Sequence, residues 1–204
     1  MPKAGKTYGP RITAPNYAQI DQTAERQVLK ELGLERPEDA VTARPDDLIV
    51  KAARILEQAD AEVALHLDER DEALAHLWFY EQRLGLSKTV GLTNMGYRHV
   101  LAKMMFDDKR HPLPDGPNEE LVQAAEAAGI KRVENAEEKL LKTAPIVHAA
   151  RARRDVAVRF MQEAVFALSE KPYGWTPEQI AEHAGVERNL IYKQRAAARK
   201  RRGL

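Results

Sequence analysis

The stretch Thr176-Pro-Glu-Gln-Ile-Ala-Glu-His-Ala-Gly-Val-Glu-Arg-Asn-Leu-Ile-Tyr-Lys193 decides the fold. Thr176 can accept from free backbone N–H groups, Pro177 fits the first helical position, and Gln179, three residues after the threonine, completes a capping box. A helix therefore starts here. Ile180, Ala181 and Ala184 form its inner face, Gly185 makes a turn, and Val186, Leu190 and Ile191 begin the inner face of a second helix. Ala181 lies four residues before Gly185. A small side chain there lets two helices approach closely, and glycine at the bend takes a backbone conformation costly for other residues.

On the second helix the outward positions beside the turn are Arg188, Asn189, Tyr192 and Lys193. Arginine and asparagine suit bidentate contact with guanine and adenine edges, whereas Tyr192 and Lys193 suit phosphates, which fix register. A Tyr192 ring packed on the first helix of the pair is the alternative. Between Arg188 and Arg202 stand Arg188, Lys193, Arg195, Arg199, Lys200, Arg201 and Arg202 without a single acid. Such a run attracts a polyanion; a solvated basic tail is the bland alternative. Thr176 and Gln179 complete the expected DNA-contacting set. The whole run resembles the helix-turn-helix superfamily. It is most similar to the reading head of TetR-like regulators, whose order is matched by Ile180-Ala181, Ala184-Gly185-Val186 and Ile191-Tyr192-Lys193. The resemblance covers a small part of the chain and implies that the second helix enters the major groove. It does not extend to ligand sensing, because TetR-like proteins carry this head at the N-terminus, whereas here a basic tail follows it. Two residues depart from the pattern: Glu187 stands where a capping Ser or Thr is usual, and Gln194 where an apolar residue often closes the core.

Working outward, the chain has 204 residues, a net charge of +1 and no cysteine, which excludes disulfides, thiolate catalysis and Cys-based zinc sites. No window approaches the roughly 20 apolar residues of a membrane span, so a cytoplasmic protein is expected; the resemblance to TetR-like regulators implies a bacterial one. The six histidines lack metal-site spacing. There is no Gly-rich phosphate loop or nucleophile elbow, so no catalytic residue, metal or cofactor is expected, and no enzyme activity. No stretch alternates like a strand, and the fold class is all-α: two helical units joined by a Pro-rich linker. Residues 1–16 read as a disordered basic arm and 17–110 as a helical domain. His111-Pro-Leu-Pro-Asp-Gly-Pro117 reads as the linker, and 118–204 as a helical domain carrying the turn and the basic tail. Helices are expected over Tyr17–Leu32, from Pro45 onward with a bend, a break or a solvent-exposed stretch where Asp68 to Glu72 dilute the apolar stripe, from Asn118 to Ala128, from Glu134 to Lys142, and from Pro145 to Leu168. The last of these carries Arg151, Arg153, Arg154 and Arg159 on its polar side.

A divergent second helix-turn-helix is the open question in the N-terminal half. Arg70-Asp71-Glu72-Ala73 resembles Arg154-Asp155-Val156-Ala157, and Gly91-Leu92 followed by Tyr97 resembles Gly185-Val186 followed by Tyr192. Thr93 would cap a helix from Asn94 to Met105, so Thr93, Asn94, Tyr97, Arg98 and Lys103 form a second expected DNA site. Against it, Gly85 interrupts the preceding helix and Ser87 holds the small-residue position. The expected partner is double-stranded DNA, bound by one chain or a homodimer in transcriptional regulation. A replication, partition or phage-derived DNA-organising factor shares this chemistry. A third reading is a helical adaptor for RNA polymerase, a sigma factor or another regulator, acting through the acidic residues between Glu35 and Glu81. If about five to seven phosphates are neutralised by the C-terminal helix, its tail and Arg151 to Arg159, log affinity falls with log salt at a slope of about −5 to −6.

Overall fold

The computed structural model describes residues 6–204, and the chain is all-α. In order the helices are α1 (Tyr17–Leu32), α2 (Pro45–Phe79), α3 (Leu86–Thr89), α4 (Asn94–Phe106), α5 (Asn118–Ala127), α6 (Ala136–Ser169), α7 (Pro177–Ala184) and α8 (Arg188–Arg201), with a 3-10 turn at Pro37–Val41. Extended pairing among the described residues is limited to a bridge between Arg11 and Leu84.

Two compact units form, each from two stretches of chain. Unit 1 combines the N-terminal segment up to Tyr17 with Val63–His148, and unit 2 combines Ala18–Glu62 with Ala149–Leu204. The unit boundaries fall after Tyr17 at the start of α1, one residue from the expected division, and within α2 and α6, and none falls in the Pro-rich run. That run belongs to unit 1. Leu113 is buried in its core, and Asp115 and Asn118 are bonded to Lys6 and Thr7. Read circularly, unit 2 runs second half of α6, α7, α8, α1, first half of α2, while unit 1 runs second half of α2, α3, α4, α5, first half of α6.

Three expectations are corrected or narrowed. Residues 6–16 are not a free arm: Gly9 and Ile12 donate backbone N–H groups to the Gln82 and Leu84 carbonyls at 3.1 and 3.0 Å, and Ile12 is buried. Residues 1–5 of that arm lie outside the described residues. Helix α2 does not break at Asp68 to Glu72; of the expected alternatives the solvent-exposed stretch is found, at Asp68 and Glu69 only. Arg70, 1 % exposed, turns inward with its charge held by Asp71 at 2.5 Å, and Ala73, Leu74 and Leu77 resume the buried face. The two helices expected over 134–142 and 145–168 are one, because α6 runs through Pro145. The proline removes one backbone hydrogen bond, but Leu140 and Ala144 before it and Val147 and Ala150 after it are all buried, and their packing carries the helix across the defect.

Candidate nucleic-acid interface

Unit 2 builds the C-terminal motif as a helix pair on a packed base. Thr176 and Gln179 close the capping box, the threonine Oγ1 accepting from the Gln179 N–H at 3.3 Å and the glutamine Oε1 from the Thr176 N–H at 2.8 Å. Gly185 ends α7 at φ +65°, and the Val186 N–H donates to the Ala181 carbonyl at 3.0 Å. This bond closes the bend over the small residue. Ile180, Ala181, Ala184 and Ile191 join a core with Phe160, Met161, Val165 and Leu168 of α6 and with Val28, Ile49 and Leu56.

The polar departure at Gln194 has a partner, since its Oε1 accepts from the Gln162 Nε2 on α6 at 2.8 Å. Gln162 is 7 % exposed and its own Oε1 is unbonded. The pair therefore does the inter-helix work of an apolar contact through one part-buried hydrogen bond, a feature sequence reasoning missed because nothing in the letters joins residues 162 and 194. Glu187 caps α8 by backbone conformation alone, without a side-chain bond.

The outer face of α8 is where the expected residues divide. Arg188, Asn189, Tyr192 and Lys193 are exposed together on one side of the helix start. Arg188 and the Tyr192 hydroxyl both reach the Glu178 carboxylate of α7, at 3.3 and 3.2 Å, so the tyrosine leans on the first helix of the pair while 47 % of it stays exposed. The Glu178 carboxyl is held below its ordinary range, first by the backbone N–H at the helix start and then by the Tyr192 and Thr176 hydroxyls and Arg188. Glu178 is thus a carboxylate within the candidate interface, where it orders the arginine and tyrosine that a phosphate would compete for.

Lys193, Arg195, Arg199 and Lys200 form no ion pair among the described residues. Arg201 and Arg202 do: both bind Glu163 of α6, Arg201 at 3.2 Å, and the Arg202 guanidinium also stacks 4.1 Å from the Phe166 ring. On α6, Arg153 pairs with Glu31 and Glu62 at 3.2 Å each, and Arg154 with Asp60 at 2.7 Å. Four of the cations expected to neutralise phosphates are therefore occupied internally, because acids distant in sequence fold onto them. Thr176 and Gln179 are likewise committed to each other.

In unit 1 the chain makes the same bend. Gly91 has φ +65°, the Leu92 N–H donates to the Ser87 carbonyl at 2.9 Å, and the Thr93 Oγ1 caps α4 by accepting from the Gly96 N–H at 3.0 Å. Gly85, at φ +85°, shortens α3 to one turn. Its missing side chain makes room for the backbone of Ile12, whose carbonyl oxygen would lie 3.0 Å from an added Cβ. Asn94, Met95, Arg98 and Lys103 are exposed, but Tyr97 is half-buried and packs against the unit 1 core. Superposing the two turn glycines matches Tyr97 with buried Ile191, and Arg98 with Tyr192, one position from the correspondence of the tyrosines suggested by the sequence. Comparison of the chain with family models, with curated proteins and with solved structures gives no match.

Proposed function

We propose that this chain is a double-stranded DNA-binding protein that reads sequence through α8 and acts in gene regulation. The observation that carries the reading is the pairing of a capped, glycine-closed α7–α8 bend with an exposed face of α8 that bears Arg188, Asn189 and Lys193 and no acid of its own, the one carboxylate at its edge being Glu178 of α7, bonded to Arg188. Arg188 and Asn189 stand at the first two helical positions, the end of a reading helix from which base edges are reached. Lys193, Arg195, Arg199 and Lys200 supply the unpaired charge that attracts and registers the phosphate backbone. With Arg201, Arg202, Arg153 and Arg154 engaged, about four to five contacts remain, and the expected salt slope falls to about −4.

The adaptor reading has weaker support. Asp39, Asp46, Asp47, Asp60, Glu62, Asp71, Glu72 and Glu81 are each ion-paired to a lysine or arginine. The acids left for a partner are Glu35, Glu38, Glu57, Asp68 and Glu69, exposed and without an ion pair among the described residues but spread along the segment. The test is selection of binding sites from random duplexes, repeated with Arg188→Ala and Asn189→Ala. The expected result is one enriched motif with the unaltered chain. The variants should lose preference by about 1–3 kcal/mol per lost bidentate contact while keeping salt-sensitive binding. Absence of enrichment with the unaltered chain refutes the proposal.

A further inference from the structure

We infer that α4 of unit 1 is a second duplex-contacting helix, so that one chain carries two DNA-binding surfaces. The inference rests on the DNA reading proposed for α8 and adds a site to it.

Three observations on different levels agree. The first is backbone geometry: a left-handed glycine at φ +65°, a closing bond from the next residue to the carbonyl four positions before the glycine, and an extended capping residue recur at Ser87–Thr93 and at Ala181–Glu187. The second is exposure. Counted from the two glycines, Asn94, Met95 and Arg98 occupy the places of Arg188, Asn189 and Tyr192, and all six are exposed. Gly96 and Val100 match Leu190 and Gln194, and all four are half-buried, while half-buried Tyr97 and His99 fall on buried Ile191 and exposed Lys193, so five of the seven positions agree.

The third is charge. From Leu84 to Phe106 the chain holds Lys88, Arg98, His99 and Lys103 and no aspartate or glutamate, in a protein with 31 acids among 204 residues. Lys88, Arg98 and Lys103 are exposed and form no ion pair among the described residues. Along the chain the nearest acids are Glu81 before the segment and, after it, Asp107, which caps the end of α4, and Asp108. Across the fold Asp68 and Asp71 line a cavity with His99 and Lys103, and Asp115 lines another with Arg98, but none of these acids is ion-paired to Lys88, Arg98 or Lys103. The first turns of the helix thus present cations of their own, as a surface that approaches phosphates does. The side chains at the reading positions fit base edges: Asn94 can bond adenine bidentately, Arg98 guanine, and the 63 % exposed Met95 offers an apolar contact to a thymine methyl.

The experiment uses the full chain and a duplex selected by it. Lys88→Ala, Arg98→Ala and Lys103→Ala are combined in one variant, and affinity is measured against salt beside the unaltered chain and the Arg188→Ala, Asn189→Ala variant. Loss of three cations at the duplex, Lys88 and Lys103 at phosphates and Arg98 at a base edge, should flatten the salt slope by about 2 to 3 and, if these contacts contribute nothing at about 1 M salt, weaken binding about 40- to 300-fold at 0.15 M. Lysine acetylation of the unaltered chain, with and without duplex, gives a readout independent of how the variant folds: Lys88 and Lys103 should become protected. Unchanged slope with both lysines still reactive overturns the inference, even where the α8 variant loses its preference and the first proposal stands. Failure of the unaltered chain to bind any duplex overturns both.

Discussion

Glu163→Gln separates the internal use of the basic tail from its use toward DNA. In the structure this one carboxylate holds Arg201 and Arg202, whose side chains are 46 % and 45 % exposed. Exposed pairs of this kind contribute about 0–1 kcal/mol each, so the substitution should leave stability nearly unchanged. Its effect on DNA is larger. Arg202 keeps its stacking on Phe166, so between one and two guanidinium groups are released. Each phosphate gained steepens the slope of log affinity against log salt by about 0.9, giving a change of about 1 to 2. If these contacts contribute nothing at about 1 M salt, the same slope corresponds to about 5- to 30-fold tighter binding at 0.15 M. Fluorescence anisotropy on a selected duplex across a salt series measures both quantities. Glu170→Gln, which removes an exposed acid just beyond the end of α6, controls for net charge alone. A Glu163→Gln protein with the parental slope, or one no different from the control, refutes the assignment of the tail to phosphates.

Gly185→Ala should cost about 1 kcal/mol of stability in denaturant unfolding, because φ is +65° but an added Cβ meets nothing within 4 Å. Gly91→Ala should cost more, since its Cβ would stand 2.7 Å from the His148 Nδ1 and 3.1 Å from the Tyr17 ring. Replacing Gln162 or Gln194 singly by leucine should destabilise by about 1–3 kcal/mol, and the double leucine variant by less than either, because a lone buried amide is worse than none; a double-mutant cycle reads this directly. Burial raises the Tyr17 phenol to about 12, against a small opposing effect of Arg70. Below pH 10 the phenol is neutral in folded and unfolded chains and its contribution is complete. It is lost as pH rises toward 12, where only the unfolded chain ionises readily, so Tyr17→Phe should flatten the alkaline fall in stability measured by unfolding at each pH. A fragment of residues 118–204 should give a collapsed amide NMR spectrum, because Val28, Leu32, Ile49 and Leu56 of the unit 2 core are missing from it. At about 1.5–3 kcal/mol for each such side chain, the loss rivals the whole stability of a typical domain.

How far the sequence could be read depended on whether a signal was local. The α7–α8 bend was legible because the chemistry of Thr176, Gln179, Ala181 and Gly185 acts within a few residues of each, and so was the end of α1 at Gly33. The unit boundaries inside α2 and α6 were not: no proline or glycine marks the one in α2, and Pro145, three residues before the one in α6, read as a helix boundary because a proline usually is one, whereas the helix continues through it. The run from His111 to Pro117 had every mark of a linker except the one that mattered, the burial of Leu113. Charges misled in the same way. The net sign of a segment can be read from its letters, but whether Arg153 or Arg202 is free depends on Glu31, Glu62 and Glu163, which only folding brings to them. Tyr97 was misread by one position because two tyrosines after two glycines suggest a register that the backbone does not keep.

The two bends also divide unequally between anchoring and display. Helix α8 buries fully only Ile191 and Ala198 and leaves most of its length to exposed cations, so its place depends on the α6 and α7 side chains beneath it and on the Gln162–Gln194 bond. Helix α4 buries Leu101, Ala102 and Met105, and its likeness to α8 in exposure, already broken at Tyr97 and His99, does not extend past Val100. A helix held along its C-terminal half has only its first turns to offer a duplex. It follows that α4 should contribute fewer base contacts than α8 and more of its energy through Lys88, Arg98 and Lys103. Binding sites for the whole chain should then show one sharply conserved half and one half recognised mainly by its phosphates, with the salt dependence of affinity, rather than base preference, reporting the second surface.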